Sequence, residues 1–348
     1  MLDLTEKLKA RQSRITAGRF LQCLALAKGS PSVAARIAQG HQDWVDRDMI
    51  NKAFLAAVAP ITTTDYPYAY TPIGDAFLSA LRSFSVPRQL ANLRRVPMLT
   101  RIYADAVGIV GVEVAESAAI PVLKGNWSTK TLTPRKFAGI VVQTDELVAS
   151  TSPTASAAIA DDLAEATAEA ENFAFCNPET ANSVLHDAPN FSGTGTSLAQ
   201  VDADIKRLVD LVPGAFRPGA AFVMTKETAT FLALLRGSAG VPAYEDITPQ
   251  GGLLLGLPVL ITSAAQLVGS PPTRTIGLLS PSAIFWADDS KAVLTASRQA
   301  ALKMDDAATA TPGTMVSMFR TNATAMKALL ESSWYARSGS GAFFVSGY

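Results

Sequence analysis

The stretch VGIVGVEVAESAAIPVLKGNWSTKTLTPRKFAGIVVQ, residues 107–143, carries the local pattern on which the fold prediction depends. In its first part every second residue is a valine: Val110, Val112 and Val114. This is the period of a strand with one apolar face. A second, threonine-rich strand follows from Asn126, and Pro134 favours a sheet edge because proline has no N–H to donate. The two strands and a loose tip at 117–126 predict one long hairpin.

The outer half of this hairpin has little apolar bulk. A two-stranded hairpin by itself is marginally stable in water. We therefore expect the hairpin to lie on another surface, either this protein's own core or a neighbouring copy. The residues of the hairpin leave both possibilities open.

A long amphipathic helix is predicted after the hairpin. Cap residues lie at 150–154, and Pro153 fits the first helical turn. Apolar residues three or four positions apart form one stripe: Ile159, Leu163, Ala166, Ala170 and Phe173. Acidic residues occupy the remaining faces: Asp161, Asp162, Glu165, Glu169 and Glu171. Because the carboxylates ring the helix and do not converge, we expect a solvated face rather than a metal site.

The composition of the chain favours a surface that other subunits partly cover. Charged residues make up 17% of the 348 residues, against about 25% in an average soluble protein. So few charges would solvate the surface of a monomer poorly, although a slightly apolar enzyme remains an equal alternative. The 30 basic and 30 acidic side chains cancel, which argues against a dedicated nucleic-acid binder.

The first 60 residues are predicted to be helical and mildly basic, with too little regular patterning for a domain. We expect an extended arm there, followed by a boundary rich in Pro, Thr and Tyr at 59–75. The sequence predicts neither a signal peptide nor a membrane span, since it has no run of 18 apolar residues. The two cysteines, Cys23 and Cys176, lack metal-ligand spacing and suggest reduced thiols in a cytosolic setting.

Helices and strands alternate after a polar stretch at 177–197. Predicted helices carry Leu198, Val201, Ile205 and Leu208, and then span 226–237. Predicted strands cover 220–225, 275–280, 283–289, 291–297, 313–321 and 341–348. The run ATAMKALLESS, residues 323–333, is compatible with a helix or an extended segment.

No cluster of residues in the sequence predicts chemistry. His41 and His186 have no ligand or nucleophile near them in sequence, so structural or surface roles are expected. The chain contains no G-x-S-x-G elbow, phosphate-binding loop, C-x-x-C or H-E-x-x-H motif. SGTGTS at 192–197 is predicted to be a flexible loop, and ADDS at 287–290 an ordinary turn. We predict no catalytic residue, no cofactor and no metal, and expect the function to reside in surfaces.

The order of these parts resembles a tailed-phage major capsid protein of the Hong Kong 97 fold. Four passages carry the resemblance: VAESAAIP with TLTPRKFAGIVVQTDELV, AEATAEAENFAF before CNPET, AAFVMTKETATFLALLRGSAGVPAY, and GGLLLGLPVLITSAA. Together they cover roughly residues 95–348. Each motif is weak by itself, and their order and spacing make the similarity specific.

The resemblance implies an α+β fold with an N-terminal arm, an extended β-hairpin loop, a peripheral domain and an axial α/β domain. The arm would span 1–62 and the extended loop 107–138. The peripheral domain would combine 63–106, 139–179 and 286–334, with its spine helix near 153–175. The axial domain would combine 180–285 and 335–348.

The resemblance also implies a structural role and no enzymatic activity. Copies of the chain would assemble as hexamers and pentamers into an icosahedral or prolate head shell around double-stranded DNA. Scaffold, portal and decoration proteins are possible partners, DNA contact would be non-specific, and no membrane partner is expected. The protein would reside in the virion capsid, after assembly in the host cytoplasm. The alternatives are an encapsulin-like compartment shell of the same fold, or a soluble α/β enzyme or ligand-binding protein.

The residues expected to contact neighbouring subunits lie in the extended loop and in an axial loop. The first group is Val112, Val114, Glu116, Ile120, Pro121, Lys124, Trp127 and Leu132. The second group is Gly251, Gly252, Leu254, Gly256 and Pro258. The glycines would permit tight turns, and Pro258 would lie at the first position of a central strand.

Two features of the family are expected to be missing. Some members join subunits by an isopeptide bond between a loop lysine and an asparagine, assisted by a glutamate. Here Ser117, Thr314 and Thr321 stand where those residues would align, with Lys124 and Asn322 as distant substitutes, so no crosslink is predicted. The large N-terminal scaffold domain of some members is also not expected, and assembly would then use a separate scaffold or the arm.

Overall fold

The structure is a computed structural model that describes residues 2–56, 71–106, 127–149, 152–212, 219–237, 240–267, 273–303 and 315–346. It divides into two compact units. Unit 1 combines Met1–Gln89, Lys136–Glu171 and Ser290–Glu331. Unit 2 combines Leu90–Arg135, Asn172–Asp289 and Ser332–Tyr348. The domain boundaries expected from the sequence remain a prediction.

Helices and strands are numbered along the chain. The helices are α1 (Leu2–Leu26), α2 (Pro31–Gly40), α3 (Arg47–Ala56), α4 (Thr71–Arg82), α5 (Val86–Gln89), α6 (Asp145–Ala149), α7 (Pro153–Cys176), α8 (Leu198–Leu211) and α9 (Lys226–Leu234). The first strands are β1 (Arg94–Arg95), β2 (Arg101–Ala106), β3 (Trp127–Thr131), β4 (Arg135–Thr144), β5 (Asn190–Ser192), β6 (Ala221–Met224), β7 (Ile247–Thr248) and β8 (Gly251–Leu254). The remaining strands are β9 (Leu257–Ile261), β10 (Gln266–Leu267), β11 (Thr273–Leu279), β12 (Ile284–Ser297), β13 (Ala301–Lys303), β14 (Met315–Ser317), β15 (Ala323–Ala336) and β16 (Gly341–Val345).

The N-terminal helices share a core, which differs from the extended arm expected from the sequence. Phe20 of α1 stacks on Phe54 of α3, with 4.4 Å between ring centroids. Asp46 accepts hydrogen bonds from Thr16 at 2.6 Å and from the Arg19 guanidinium at 2.5 Å. Most of the buried positions in α2 are alanines, which are weak signals in a sequence but let helices approach closely.

Helix α7 is the spine helix that the sequence predicts, and it begins at Pro153 as expected. Its N-terminal part lies directly against α1. A Cβ on Gly18 would lie 1.7 Å from the carbonyl oxygen of Ser156. The Ser156 hydroxyl also donates to Gln22 Oε1 at 2.5 Å. Only glycine allows the two backbones to come so close.

The buried face of α7 is wider and more polar than the predicted stripe. Ile159 and Leu163 are buried as predicted, but Phe173 is exposed. The face also buries Ser156, Thr167, Glu171 and Asn172. The prediction that the acidic residues of α7 are solvated is therefore wrong for Glu171, which is fully buried in unit 1.

The Glu171 carboxylate has its partners within unit 1. The Ser85 hydroxyl donates to its Oε2 atom at 2.7 Å. The Arg88 guanidinium donates through Nε at 3.2 Å and through Nη2 at 3.3 Å. Arg88 belongs to α5, and its side chain is itself largely buried. The charge is thus paired and hydrogen-bonded, which is the condition under which a carboxylate can be buried.

Unit 2 is built on a sheet with the order β5–β16–β11–β6–β9–β8–β7, and β10 pairs with β11. Its central strands are buried: Phe222, Met224, Ile276, Leu278 and Phe344 belong to one core cluster. Helices α8 and α9 pack on this sheet. α8 begins with a capping box in which Ser197 and Gln200 satisfy each other's backbone N–H groups. The predicted α/β alternation is confirmed by these elements.

A second sheet has the order β1–β12–β15–β4. The two strands predicted at 283–289 and 291–297 form the single strand β12. The run left open at 323–333 is strand β15, in which side chains buried on one face alternate with exposed or half-buried ones around Lys327. Its leucines and lysine suit a helix as well as a strand, so only pairing with neighbouring strands selects the extended form.

Within the part of the chain that the structure describes, no helix is both long enough and apolar enough to cross a membrane.

Candidate assembly surfaces

The root of the predicted extended loop is an antiparallel pair of strands in unit 2. Strand β2 pairs with β3, with Arg101 opposite Thr131 and Tyr103 opposite Thr129. The register shifts once before Ala106 meets Trp127. The segment 107–126, which contains the first predicted strand, therefore starts and ends at neighbouring points of one hairpin root, and it lies outside the described residues.

The hairpin root is anchored in the core of unit 2. Ile102 of β2 and Leu132 just after β3 are buried together with Ala287. The Leu99 N–H donates to the carbonyl of Leu132 at 3.0 Å, which holds the two legs together. Leu132 was expected at a subunit contact, and the structure places its side chain inside its own chain. The hairpin root is therefore held in place by residues of its own unit.

Most of the other loop positions expected at contacts lie outside the described residues: Val112, Val114, Glu116, Ile120, Pro121 and Lys124. Trp127 is the first residue of β3, opposite Ala106. The proposed contacts of these residues stay predictions.

The predicted axial loop is an antiparallel meander at one end of the unit 2 sheet. Strand β8 pairs with both β7 and β9, so that Gly252 lies opposite Ile247 and Val259. Gly252 has a φ of 143°, and a Cβ there would lie 2.0 Å from the carbonyl oxygen of Asp246. The sharp path of the chain into β8 therefore requires glycine.

The turn between β8 and β9 exposes apolar side chains. Leu255 and Gly256 have positive φ angles of 53° and 75°, as in a type I′ hairpin turn. Leu255 is 68% exposed and Leu253 is 47% exposed, whereas Leu254 between them is 2% exposed and belongs to the core. Leu255 thus occupies a backbone conformation that favours Asn or Gly, with its side chain in solvent.

Five axial-loop residues were expected at subunit contacts, and the structure shows that only some of them are exposed. Gly252, Gly256 and Pro258 are exposed, while Gly251 and Leu254 are buried. Strand β9 lies between β6 and β8, as expected for a central strand. Pro258 is its second residue, one position later than predicted. The sequence analysis did not predict that Leu253 and Leu255 are exposed. Side chains alternate between the two faces of a strand, so burial of Leu254 would have indicated it.

Unit 1 also exposes apolar side chains. Phe319, in the turn between β14 and β15, is 82% exposed, and Met315, Val293 and Ile140 are more than half exposed. Single exposed apolar side chains are common on protein surfaces, so these four residues do not by themselves define a contact region.

Each histidine contacts groups of its own unit, and His186 Nε2 lies 4.0 Å from the exposed Asp187 carboxylate. The His41 ring stacks on Trp44, and the His186 Nδ1 atom is 3.0 Å from the carbonyl of Pro178. Among the described residues, no group of three or more His, Cys, Asp or Glu side chains could hold a metal ion. Burial raises the pKa of Cys23 to about 12 and also raises the pKa of Cys176, which leaves both thiols protonated and unreactive.

Comparisons with known proteins agree with this architecture. The family model described as the phage capsid family matches residues 68–329. The capsid polyprotein of Pseudomonas phage PAJU2 is 28% identical over 359 aligned positions that cover 96% of this chain. The chain spans about half the length of that curated relative, 54%.

Solved structures show the same fold at low sequence identity. A chain of Mycobacterium phage Bobi has a TM-score of 0.52 at 13% identity and covers 85% of this chain and 98% of its own. A chain of Mycobacterium phage Ogopogo has a TM-score of 0.52 at 16% identity, with coverages of 75% and 91%. The capsid of a native GTA particle has a TM-score of 0.50 at 16% identity, with coverages of 76% and 89%. These likenesses identify the predicted Hong Kong 97-type α+β capsid fold, and the family match over 68–329 shows that the chain belongs to the phage capsid family.

Proposed function

We propose that copies of this chain assemble as hexamers and pentamers into the icosahedral or prolate head shell of a tailed phage that encloses double-stranded DNA. The observation that carries the proposal is the family match, which includes the extended loop and its root. The role is structural, without enzymatic activity. Assembly takes place in the host cytoplasm, and scaffold, portal and decoration proteins are the expected partners.

The anchored hairpin root supports a draped loop. Ala106 and Trp127 are paired, so the two residues that flank segment 107–126 lie side by side at the hairpin root. A two-stranded hairpin at 107–126 that packs on no other surface would be only marginally stable in water. We infer that it gains its order on a neighbouring copy, as the sequence-based interpretation allows. Each such contact is modest, but closure of a shell makes many contacts reinforce each other.

The exposed turn at Leu255 supports a second contact region. An exposed leucine in a left-handed conformation costs stability in the isolated subunit. Burying the apolar side chains of Leu253 and Leu255 at a subunit interface would recover favourable free energy. Together with the low charge content of the chain, this supports a surface that is covered in the assembled state.

Replacing residues 107–126 with Asn-Gly tests the loop contact. The dipeptide suits a two-residue turn between the paired residues Ala106 and Trp127 and leaves the root intact. We expect a folded subunit that forms no closed shell by negative-stain microscopy and sedimentation. Normal particles from this variant would contradict the draped-loop proposal.

The control variant Lys124→Gln keeps the loop and removes its only lysine between residues 107 and 126. It should assemble like the unmodified chain, because no crosslink through this lysine is predicted. A denaturing gel checks this directly: a ladder of covalent multimers that disappears in Lys124→Gln would show that the crosslink prediction is wrong. Nucleic acid inside purified particles supports a phage head, and a protein cargo without nucleic acid would favour the compartment shell.

A further inference from the structure

A polar cavity of about 630 Å³ lies within unit 2. Three segments line it: residues 130–135 at the end of the hairpin root, the loop after α7 at 182–189, and residues 333–341, which run from the end of β15 through the following turn to the first residue of β16. Its volume is in the range of sites that bind small ligands.

Three cations and one acid line the cavity. Lys130, Arg135 and Arg337 are the cations, and Asp187 is the acid. Within the part of the chain that the structure describes, none of the three cations forms an ion pair. The Asp187 side chain is 98% exposed and lies 4.0 Å from His186. The cavity therefore has an uncompensated positive charge.

The two arginines are held by aromatic rings. The Arg135 guanidinium lies over Trp334 at 4.7 Å from the ring centroid, and the Arg337 guanidinium lies over Phe285 at 5.5 Å. Both arginines are half-buried, and burial lowers the pKa of Arg135 from its usual value. Stacking fixes the plane of a guanidinium while its N–H groups remain free to bind a carboxylate or phosphate.

A buried hydroxyl without a partner also lines the cavity. Ser183 is 6% exposed, and its Oγ atom has no hydrogen-bond partner among the described residues. An unpaired buried hydroxyl is destabilising, and native structures leave few of them. A ligand that accepts a hydrogen bond from Ser183 would remove this cost.

We propose that this cavity binds a small oxyanion, a phosphate or carboxylate group, through Arg135, Arg337 and the Ser183 hydroxyl. Half-buried arginines in a concave site suit a single anionic group better than duplex DNA, whose phosphates are contacted from exposed surfaces. The bound group would connect the hairpin root with the two other segments that line the cavity. The proposal does not depend on shell formation.

Titration of the full chain with inorganic phosphate at constant ionic strength, followed by calorimetry and thermal unfolding, tests the site. We expect saturable binding and a rise in Tm, since a ligand that binds only the folded state stabilises it. Arg135→Gln should weaken phosphate binding by about tenfold or more, because charge-assisted hydrogen bonds are lost. Arg94→Gln is the control: Arg94 also stacks on an aromatic ring, Phe285 at 5.6 Å, but does not line the cavity.

Ser183→Ala separates the ligand role from a folding role. Without ligand, loss of an unpaired buried hydroxyl should leave Tm unchanged or raise it. With phosphate, the affinity should fall by about tenfold. A merely structural serine would not combine unchanged stability with weaker binding.

A parallel titration with glutamate distinguishes the two sources of the oxyanion. Binding of either probe that Arg135→Gln weakens and Arg94→Gln preserves supports the site, and the tighter probe identifies phosphate or carboxylate as the ligand. Absence of saturable binding of both probes would overturn the proposal. Binding of duplex DNA alone, reduced in Arg135→Gln, would also overturn it and indicate a nucleic-acid contact.

Discussion

Glu171 and Leu255 each occupy an environment that is unfavourable for their side chain, and the structure compensates only one of them. Glu171 is a fully buried carboxylate in unit 1, and Ser85 and Arg88 neutralise and hydrogen-bond it. Leu255 is a largely exposed apolar side chain in unit 2, with a left-handed backbone at a φ of 53°. Compensation within the chain indicates a role in folding. Its absence at Leu255 is the basis of our proposal that this leucine contacts a neighbouring copy.

The largest effect is expected from removing the buried charge. Glu171→Ala removes the carboxylate that pairs with the buried Arg88 guanidinium, which should lower the free energy of unfolding by about 3–5 kcal/mol. Urea unfolding of unassembled subunits measures this. The control Glu165→Ala, on an exposed position of the same helix, should change it by less than about 0.5 kcal/mol.

The double variant Arg88→Met with Glu171→Leu tests the physical reason. Replacing a buried ion pair by apolar side chains is often close to neutral, so most of the lost stability should return. Equal effects of Glu171→Ala and Glu165→Ala on the free energy of unfolding would show that the buried ion pair of Glu171 does not matter for folding.

A smaller effect of opposite sign is expected at the turn. Leu255→Asn should raise the free energy of unfolding by about 1 kcal/mol, because Asn adopts the left-handed conformation readily. The same change should weaken assembly, because an apolar contact is lost. Denaturant unfolding and sedimentation at several protein concentrations measure the two effects.

Leu253→Asn is the matched control for this prediction. Leu253 is also exposed, but it lies in strand β8 and its φ is not positive. It should weaken assembly without a gain in stability. A Leu255→Asn variant that assembles as well as the unmodified chain would show that the exposed leucine is not a contact.

The smallest perturbation uses the two cysteines as reporters without any mutation. Cys23 lies in unit 1 and Cys176 in unit 2, and both are buried. A thiol reagent at pH 8 should modify each of them about a thousandfold or more slower than a free thiol, because reaction requires opening of the unit. In Glu171→Ala, Cys23 should react faster than in the unmodified chain. Equal rates in the two proteins would count against this.

The buried Cys23 thiol should make the free energy of unfolding decrease at alkaline pH. Burial raises the pKa of Cys23 from 9.0 to about 12, so the folded state keeps a proton that the unfolded state loses. The contribution of Cys23 to stability is therefore complete below pH 9 and is lost as the pH rises toward 12. Urea midpoints measured between pH 7 and pH 10 should fall at the alkaline end, less so in Cys23→Ala.

Local patterns in the sequence predicted the elements that depend on near neighbours. Pro153 marks the start of α7, the alternation after it predicts β6, α9 and β11, and the paired legs of a hairpin were expected before α7. Periodicity and capping are properties of residues a few positions apart, so they can be recognised without the fold.

Burial of particular side chains could not be predicted in the same way. Glu171 resembles its acidic neighbours on α7, and its partner Arg88 lies 83 positions away in the chain. The cavity of unit 2 likewise joins Arg135, Ser183 and Arg337 from three distant segments. The same reason applies to α2 and β15. The alanines of α2 become core residues, and β15 becomes a strand, only through the segments that pack against them.

The amino-acid pattern alone thus predicted the order of helices and strands, the spine helix and the resemblance to phage capsid proteins, whereas the hairpin strand predicted around Val110, Val112 and Val114 lies outside the described residues. The folded chain was needed to show that Leu132 and Leu254 are core residues, that Leu255 is exposed, and that Glu171 is paired inside unit 1. The reason is physical: secondary structure follows from interactions along the chain, whereas burial and electrostatic pairing follow from contacts between segments that only the fold brings together.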